Sequence, residues 1–277
     1  MGHRGCKLAW TLATMLVSVL LAGLTPAYAI GFHFSPLNIS IQARPGQIAN
    51  RTFNLTLAKD APPTHFKAHV QDWWRSADNR QTFYAAPGSI RRSCGLWCSI
   101  NPVEATVKPG ETLTIRLSIR VPDDIKPGGY WAALTVDEVP DPLAPEPSGI
   151  AMVFRGSVSI GIFIEIPPAV RSAKLAGIQI SEDKLLVKLC NDGDIPLRVN
   201  GAFEFYRLEE DKLVATVKIG GEPLLPDPIN TCEFSVALPS AKELPSGKYK
   251  VRAIMDVGLD YLLGAEKQLE IIRANGS

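Results

Sequence analysis

The sequence is poor in the residues from which most enzyme active sites are built. It has only 4 His and 5 Cys among 277 residues, and no Gly-x-Ser-x-Gly, phosphate-loop or His-Glu-x-x-His motif occurs in it. Paired carboxylates such as Asp123 and Asp124 stand in turn-like segments, where solvation accounts for their charge. We therefore expect no catalytic residue, no cofactor and no enzymatic activity.

The chain also lacks an excess of either charge. Lys and Arg total 29 against 28 Asp and Glu, and binding to nucleic acid needs a basic stripe. This balance excludes nucleic acid as the expected partner. His65 and His69, with Asp72 nearby, have the residue types of a metal site. Because residues four apart on a strand are separated by about 13 Å, we expect no metal there.

Long apolar runs are missing after the first 29 residues. A positively charged start and an apolar segment from Leu8 to Leu24 lead to Ala27 and Ala29, which match a signal-peptidase site. Residues 1–29 are predicted to be a signal peptide, with a retained membrane anchor as the alternative. The mature chain is expected to be exported, periplasmic or associated with the envelope, and free of the membrane after cleavage.

Cysteine is scarce, and four residues remain once Cys6 leaves with the signal peptide. An even number in an exported chain favours disulfides. The spacing predicts one bridge in each half, Cys94–Cys98 and Cys190–Cys232. A metal site is the alternative, but Cys94 and Cys98 lack the two-residue spacing of a zinc knuckle.

Helical periodicity is absent, and almost every readable segment alternates with period two. Examples are Leu37–Ile41, Leu113–Val121, Tyr130–Val136 and Cys232–Leu238. Alternation of this kind is typical of half-buried strands, and turn signals such as Lys108-Pro109-Gly110 separate them. The predicted fold class is all-β.

The two halves of the mature chain repeat one pattern. In each, a strand is followed by a proline turn and Gly-x-Tyr, which gives Tyr130 and Tyr249. An immunoglobulin-type sandwich keeps its tyrosine corner at this place. We predict two tandem immunoglobulin-like sandwiches, over residues 30–167 and 168–277, joined at the Pro167-Pro168 linker.

The most informative segment is a predicted strand over Ile150–Ile166, which follows a loop rich in proline at residues 140–149. One face of this strand is almost wholly apolar, and its late part contains Val158, Ile160, Ile162 and Ile164. A long apolar strand at a sheet edge is a hazard unless it is covered, and it is also suited to strand addition. The alternative is an ordinary strand buried within its own sandwich.

Two such sandwiches, a variable loop, a long alternating strand and a proline-marked linker resemble the periplasmic pilus-assembly chaperones. The resemblance implies that the partners are protein subunits of a surface or pilus assembly. It also implies that the long strand completes a subunit's fold through Val158, Ile160, Ile162 and Ile164.

In one respect the sequence departs from that family. Such chaperones anchor the subunit's terminal carboxylate with a basic pair that includes a lysine late in the long strand. The matching residues Gly161–Glu165 contain no lysine, and Arg44 and Arg155 are the nearest basic candidates.

Two other functions are consistent with the sequence. The sandwiches could be structural spacers in an envelope or secretion complex. A third reading is carbohydrate binding through an exposed aromatic ring, for which Trp73 and Trp74 are the candidates. Adjacent strand residues face opposite ways, so we expect one of the two in the core and the other nearer solvent.

Overall fold

A computed structural model describes residues 31–140, 155–181, 183–226 and 230–272. The predicted signal peptide, nearly all of the proline loop and the first residues of the predicted long strand lie outside these ranges. Within them, no helix has the length and apolar character needed to cross a membrane.

In the part of the chain that the structure describes, the first sandwich consists of ten strands in two sheets. One sheet has the order β1-β3-β8-β6, and the other has the order β2-β10-β9-β4-β5 with β7 beside β4. The strands are β1 Phe32–Ser35, β2 Asn38–Gln42, β3 Ile48–Leu57, β4 Thr64–Arg75, β5 Gln81–Tyr84, β6 Cys98–Asn101, β7 Glu104–Val107, β8 Thr112–Arg120, β9 Gly128–Val139 and β10 Ser157–Ile166. A short 3-10 helix, Gly95–Trp97, precedes β6.

The described residues of the second sandwich form seven strands, in sheets of order β11-β12-β15 and β14-β13-β16-β17. The strands are β11 Ala173–Ser181, β12 Lys184–Asn191, β13 Leu197–Arg207, β14 Lys212–Leu224, β15 Thr231–Ala237, β16 Gly247–Asp256 and β17 Leu263–Ile271. Each sandwich has its own apolar core. The prediction of an all-β chain with two sandwiches is confirmed.

Alternation in the sequence becomes burial in the structure. In β8 the side chains of Ile115, Leu117 and Ile119 are buried while their neighbours face outward. The predicted tyrosine corners are also confirmed, because the hydroxyl of Tyr130 donates to the carbonyl of Lys126 and that of Tyr249 to the carbonyl of Pro245. Both bonds fasten the start of a core strand to the preceding turn.

The long strand is shorter than predicted. Arg155 and Gly156 do not belong to a strand, and β10 begins at Ser157. The amide of Gly156 instead donates to the carboxylate of Glu138. The continuous strand expected over residues 150–166 is therefore wrong at Arg155 and Gly156, although the amide of Glu138 still donates to the carbonyl of Gly156.

Candidate functional site

The candidate site is the edge of β10 that faces away from β9. All ten residues of β10 pair with β9 on one side. On the other side the parallel strand β2 pairs only with Gly161–Glu165. Among the described residues, no strand continues this pairing along Ser157–Ile160.

Hydrogen-bond parity identifies the free groups. In an antiparallel pair, alternate residues direct both N–H and C=O towards the same neighbour. The amide of Glu138 in β9 donates to the carbonyl of Gly156, whereas the carbonyl of Glu165 accepts from Ala43 on the β2 side. The backbone groups of Ser157 and Ser159 therefore point away from β9, and in the described part of the chain they have no backbone partner.

The side chains of these two serines are held by the neighbouring strand. Ser157 donates to the carboxylate of Asp137, and the hydroxyl of Ser159 shares a hydrogen bond with that of Thr135. The edge is thus small, polar and fixed in position. Ser157 and Ser159 are both exposed.

The side chains predicted to enter a partner lie elsewhere. Ile160, Ile162 and Ile164 are at most 2% exposed and fill the core between the two sheets of the first sandwich, while Val158 is half-buried against the same core. In this conformation they serve the chain's own fold. This revises the expectation from the sequence, because these side chains fill the core of their own sandwich and do not face outward in this conformation.

The opposite face of β10 turns towards the second sandwich. Phe163 packs edge-on against Trp73, which is 2% exposed and contacts Trp131 and Leu225 in a small apolar cluster. The indole of Trp73 donates to the carbonyl of Ala132. Trp73 is therefore an interface residue, and the proposal that it is an exposed ring is wrong.

Trp74 is half-buried and stacks on Trp131 with ring centroids 5.3 Å apart. One of the adjacent tryptophans is buried and the other is nearer solvent, as expected, but the buried ring lies in the cluster with Leu225 and not in the core of the first sandwich. The sequence did not predict where the two rings lie, because it does not show that β4 changes its partner. β4 pairs with β9 up to Gln71 and with β5 from Asp72 onward. Both rings consequently contact the cluster at the domain interface.

Polar contacts also join the sandwiches. The guanidinium of Arg75 lies 2.7 Å from the carboxylate of Glu222, and the amide of Glu233 donates to the carbonyl of Ala77. At another point Gly129 comes so close that an added Cβ would lie 2.7 Å from the Cα of Ile195. The edge of β10 therefore lies beside a close-packed junction.

A cleft of about 500 Å³ runs between the sandwiches along Phe163–Glu165 and is lined by Arg171 and Arg198. A smaller cavity of about 200 Å³ includes Ser159, Arg75 and again Arg198. Arg171 is paired with Glu165, whereas Arg198 donates to the carbonyl of Gly221 and has no ion pair among the described residues.

The sequence-based anchors are not in this cleft. Arg44 and Arg155 are both exposed, and neither lines either cavity. Arg198 was missed because it comes from the second sandwich, about forty residues away in sequence from β10. No local pattern marks it, since only the packing of β13 against the junction brings it to the strand.

One predicted disulfide is incompatible with the strand register. Cys190 lies opposite Thr231 and Cys232 opposite Leu189, so the two cysteines are offset by one residue and point to opposite faces of the sheet. Cys232 instead contacts Asn79 of the first sandwich. Burial raises the pKa of its thiol to about 11. The Cys190–Cys232 pairing is therefore wrong.

The other pair remains adjacent. Cys94 and Cys98 are free thiols at the two ends of the short 3-10 helix, and the thiol of Cys98 donates to the carbonyl of Cys94 at 3.3 Å. Burial, together with the neighbouring Cys98 thiol, raises the pKa of Cys94. A bridge between them stays a prediction.

The side chains considered for a metal site have separate partners. His65 bonds to Thr106, and His69 lies 3.3 Å from the carboxylate of Asp137. Asp72 is fully buried and accepts from the amide of Ile90. Over the described ranges, no group of His, Cys, Asp and Glu is placed to hold a metal ion.

Comparison with known proteins gives similarity to solved structures alone. No family model matches the sequence, and no curated protein matches it at a significant level. The class 5 fimbriae chaperone CfaA is 12% identical with a TM-score of 0.45, over 86% of this chain and 98% of that one. The E. coli chaperone DraB is 16% identical with a TM-score of 0.41, over 87% and 98%.

A third similar structure is that of the Salmonella enterica SafA pilin in complex with the SafB chaperone, at 14% identity and a TM-score of 0.44, over 86% of this chain and 97% of that one. Similarity at this level carries no argument about the partners or the activity of this chain.

Proposed function

We propose that the chain is a periplasmic assembly chaperone, or a chaperone-like accessory, that binds protein subunits of a surface or pilus structure by β-strand addition and catalyses no reaction. The observation that carries the proposal is the backbone edge at Ser157 and Ser159, which no strand among the described residues pairs, although the rest of β10 is paired. A partner strand placed there would extend the sheet through main-chain hydrogen bonds.

Proline at position 159 tests the backbone contact. It removes the outward N–H while the bonds to β9, which Val158 and Ile160 make, remain, and proline is tolerated on edge strands. Ser159→Ala is the matched control because it loses only the hydroxyl. With a photoreactive amino acid at position 157 in the exporting cell, we expect covalent adducts to small envelope subunits in the Ser159→Ala background and their loss in the Ser159→Pro background.

Absence of subunit adducts from position 157, or equal adducts in both backgrounds, would contradict strand addition at this edge. Recovery of large envelope components alone would favour the structural spacer. The links from Arg75 to Glu222 and from Glu233 to Ala77 make the two sandwiches suitable for that role. Circular dichroism of both variants establishes that each is folded.

Arg198 is proposed as the basic group that meets an acidic or terminal carboxylate of the bound subunit. It lines both cavities next to β10 and lacks an ion pair in the described part of the chain. A charged hydrogen bond contributes about 1.5–3 kcal/mol, so we expect Arg198→Gln to weaken binding of the cross-linked subunit about tenfold or more. Arg44→Gln, outside the cleft, should bind as the unmodified chain does, and equal losses in the two variants would disprove the assignment.

A further inference from the structure

The outer surface of the sheet formed by β3, β8 and β6 has no carboxylate at its outward positions. Between Asn50 and Thr56 the outward residues of β3 are Asn, Thr, Asn and Thr. In β8, between Thr112 and Arg120, they are Thr, Thr, Arg, Ser and Arg, and β6 adds Ser99 and Asn101. These outward side chains are called the polar face.

Strand register brings the side chains of the polar face into rows. Arg116 stands between Thr52 and Asn101, and Ser118 stands between Asn50 and Ser99. A groove of about 600 Å³ lies over these two rows. Hydroxyl, amide and guanidinium groups therefore meet in one concave area.

Part of the polar face is held in a fixed arrangement. The hydroxyls of Thr56 and Thr112 are 2.8 Å apart, and that of Thr114 lies 3.0 Å from the amide oxygen of Asn54. Arg116 is exposed, as is Arg120, and neither has an ion pair with any residue that the structure describes. Four residues along a strand separate them by about 13 Å, so the polar face presents these two cations at a defined interval. Arg51 also lines the groove and donates to the carbonyl of Asn50.

The residue types of the polar face favour one class of partner over others. Protein interfaces are enriched in aromatic residues, Met and Arg, and of these the outward positions named above carry only Arg116 and Arg120. A membrane surface would need apolar side chains to enter the headgroup region, and Ile48, next to Arg120, is the one apolar residue in the register of these rows. Hydroxyl and amide groups can both donate and accept towards sugar hydroxyls, and guanidinium groups pair with carboxylates.

We propose that the polar face binds an acidic polysaccharide, with Arg116 and Arg120 on carboxylates of the polymer and the Ser, Thr and Asn side chains on its hydroxyls. The site lies on the other sheet of the sandwich from β10. It is therefore distinct from the proposed subunit edge and leaves that edge free.

The test is binding of the exported chain to polygalacturonate at physiological salt, with dextran as the neutral polymer and poly-glutamate and anionic lipid vesicles as the competing anions. We expect binding to polygalacturonate and a loss of about tenfold or more in Arg116→Gln/Arg120→Gln, since two charge-assisted contacts are removed. Lys188→Gln/Lys248→Gln is the matched control, because it removes two exposed charges from the second sandwich and should change binding by less than about twofold.

A further variant separates sugar recognition from charge. Thr52→Val keeps both arginines, and we expect it to weaken polygalacturonate binding with no effect on poly-glutamate. The proposal is overturned if polygalacturonate does not bind, if the two double variants lose equal affinity, or if poly-glutamate or the vesicles bind as tightly as polygalacturonate.

Discussion

Among single residues, the two tyrosine corners are contacts that a local sequence pattern is sufficient to predict. Gly-x-Tyr after a proline turn predicted the contacts of Tyr130 and Tyr249, because a corner needs only four residues of chain to close its hydrogen bond. The cysteines behave differently. Cys190 and Cys232 are on adjacent strands, as a bridge would require, yet a register offset of one residue separates their side chains. Composition and spacing carry no information about such an offset.

Oxidation of the thiols therefore has a predicted pattern. With a small-molecule disulfide as the oxidant, we expect Cys94 and Cys98 to lose two hydrogens and form a bridge while the oxidant is reduced to thiols. Cys190 and Cys232 should remain separate. Peptide mass spectrometry without reduction measures both pairs, and Cys98→Ser is the control in which no intramolecular bridge forms. A Cys190–Cys232 crosslink in the folded chain would contradict the register of β12 and β15.

At the scale of elements, β10 has a buried apolar face and a backbone edge, and the sequence could not tell which of them is available to a partner. Its alternation predicted a strand with one apolar face, and this much is confirmed. Whether that face fills its own sandwich or a partner's groove depends on the position of β10 between β2 and β9, which is set by pairing across more than a hundred residues. The core assignment of Ile160, Ile162 and Ile164 became visible only with that topology.

Shortening a buried side chain of β10 should therefore lower the stability of the fold. Ile162 is fully buried, and large-to-small core substitutions cost about 2–5 kcal/mol, so Ile162→Ala is expected to lower the free energy of unfolding by this amount. Ser157→Ala, on the exposed edge, should change it by less than about 0.5 kcal/mol. Urea denaturation of the two variants provides the comparison. A stable Ile162→Ala chain would mean that this side chain is outside the core.

For the whole molecule, the junction between the sandwiches accounts for residues with no local signal. Trp73, Arg75 and Cys232 all lie at the contact between the β4–β5 region and the second sandwich. Arg198 joins them at the cleft. The sequence predicted the two sandwiches and their order, but each of these positions requires the packing of one sandwich on the other.

Gly129 tests the junction directly. A Cβ at this position would overlap Ile195, so Gly129→Ala must push the sandwiches apart, and overpacking of this kind costs about 1–3 kcal/mol. Gly177→Ala is the control, because nothing lies within 4 Å of the added atom. Thermal unfolding should resolve into two transitions for Gly129→Ala and stay as in the unmodified chain for Gly177→Ala. A single, unshifted transition in Gly129→Ala would contradict the close junction.

The central claim, an edge on β10 that no described strand pairs, is tested most directly by residue-resolved hydrogen exchange of residues 30–277, alone and with the subunit recovered by cross-linking. In the free chain, the amides of Val158 and Ile160 should exchange slowly because they bond to β9, and those of Ser157 and Ser159 should exchange fast. In the complex, all four should be protected. Slow exchange of Ser157 and Ser159 in the free chain, or fast exchange of both in the complex, would contradict strand addition at this edge.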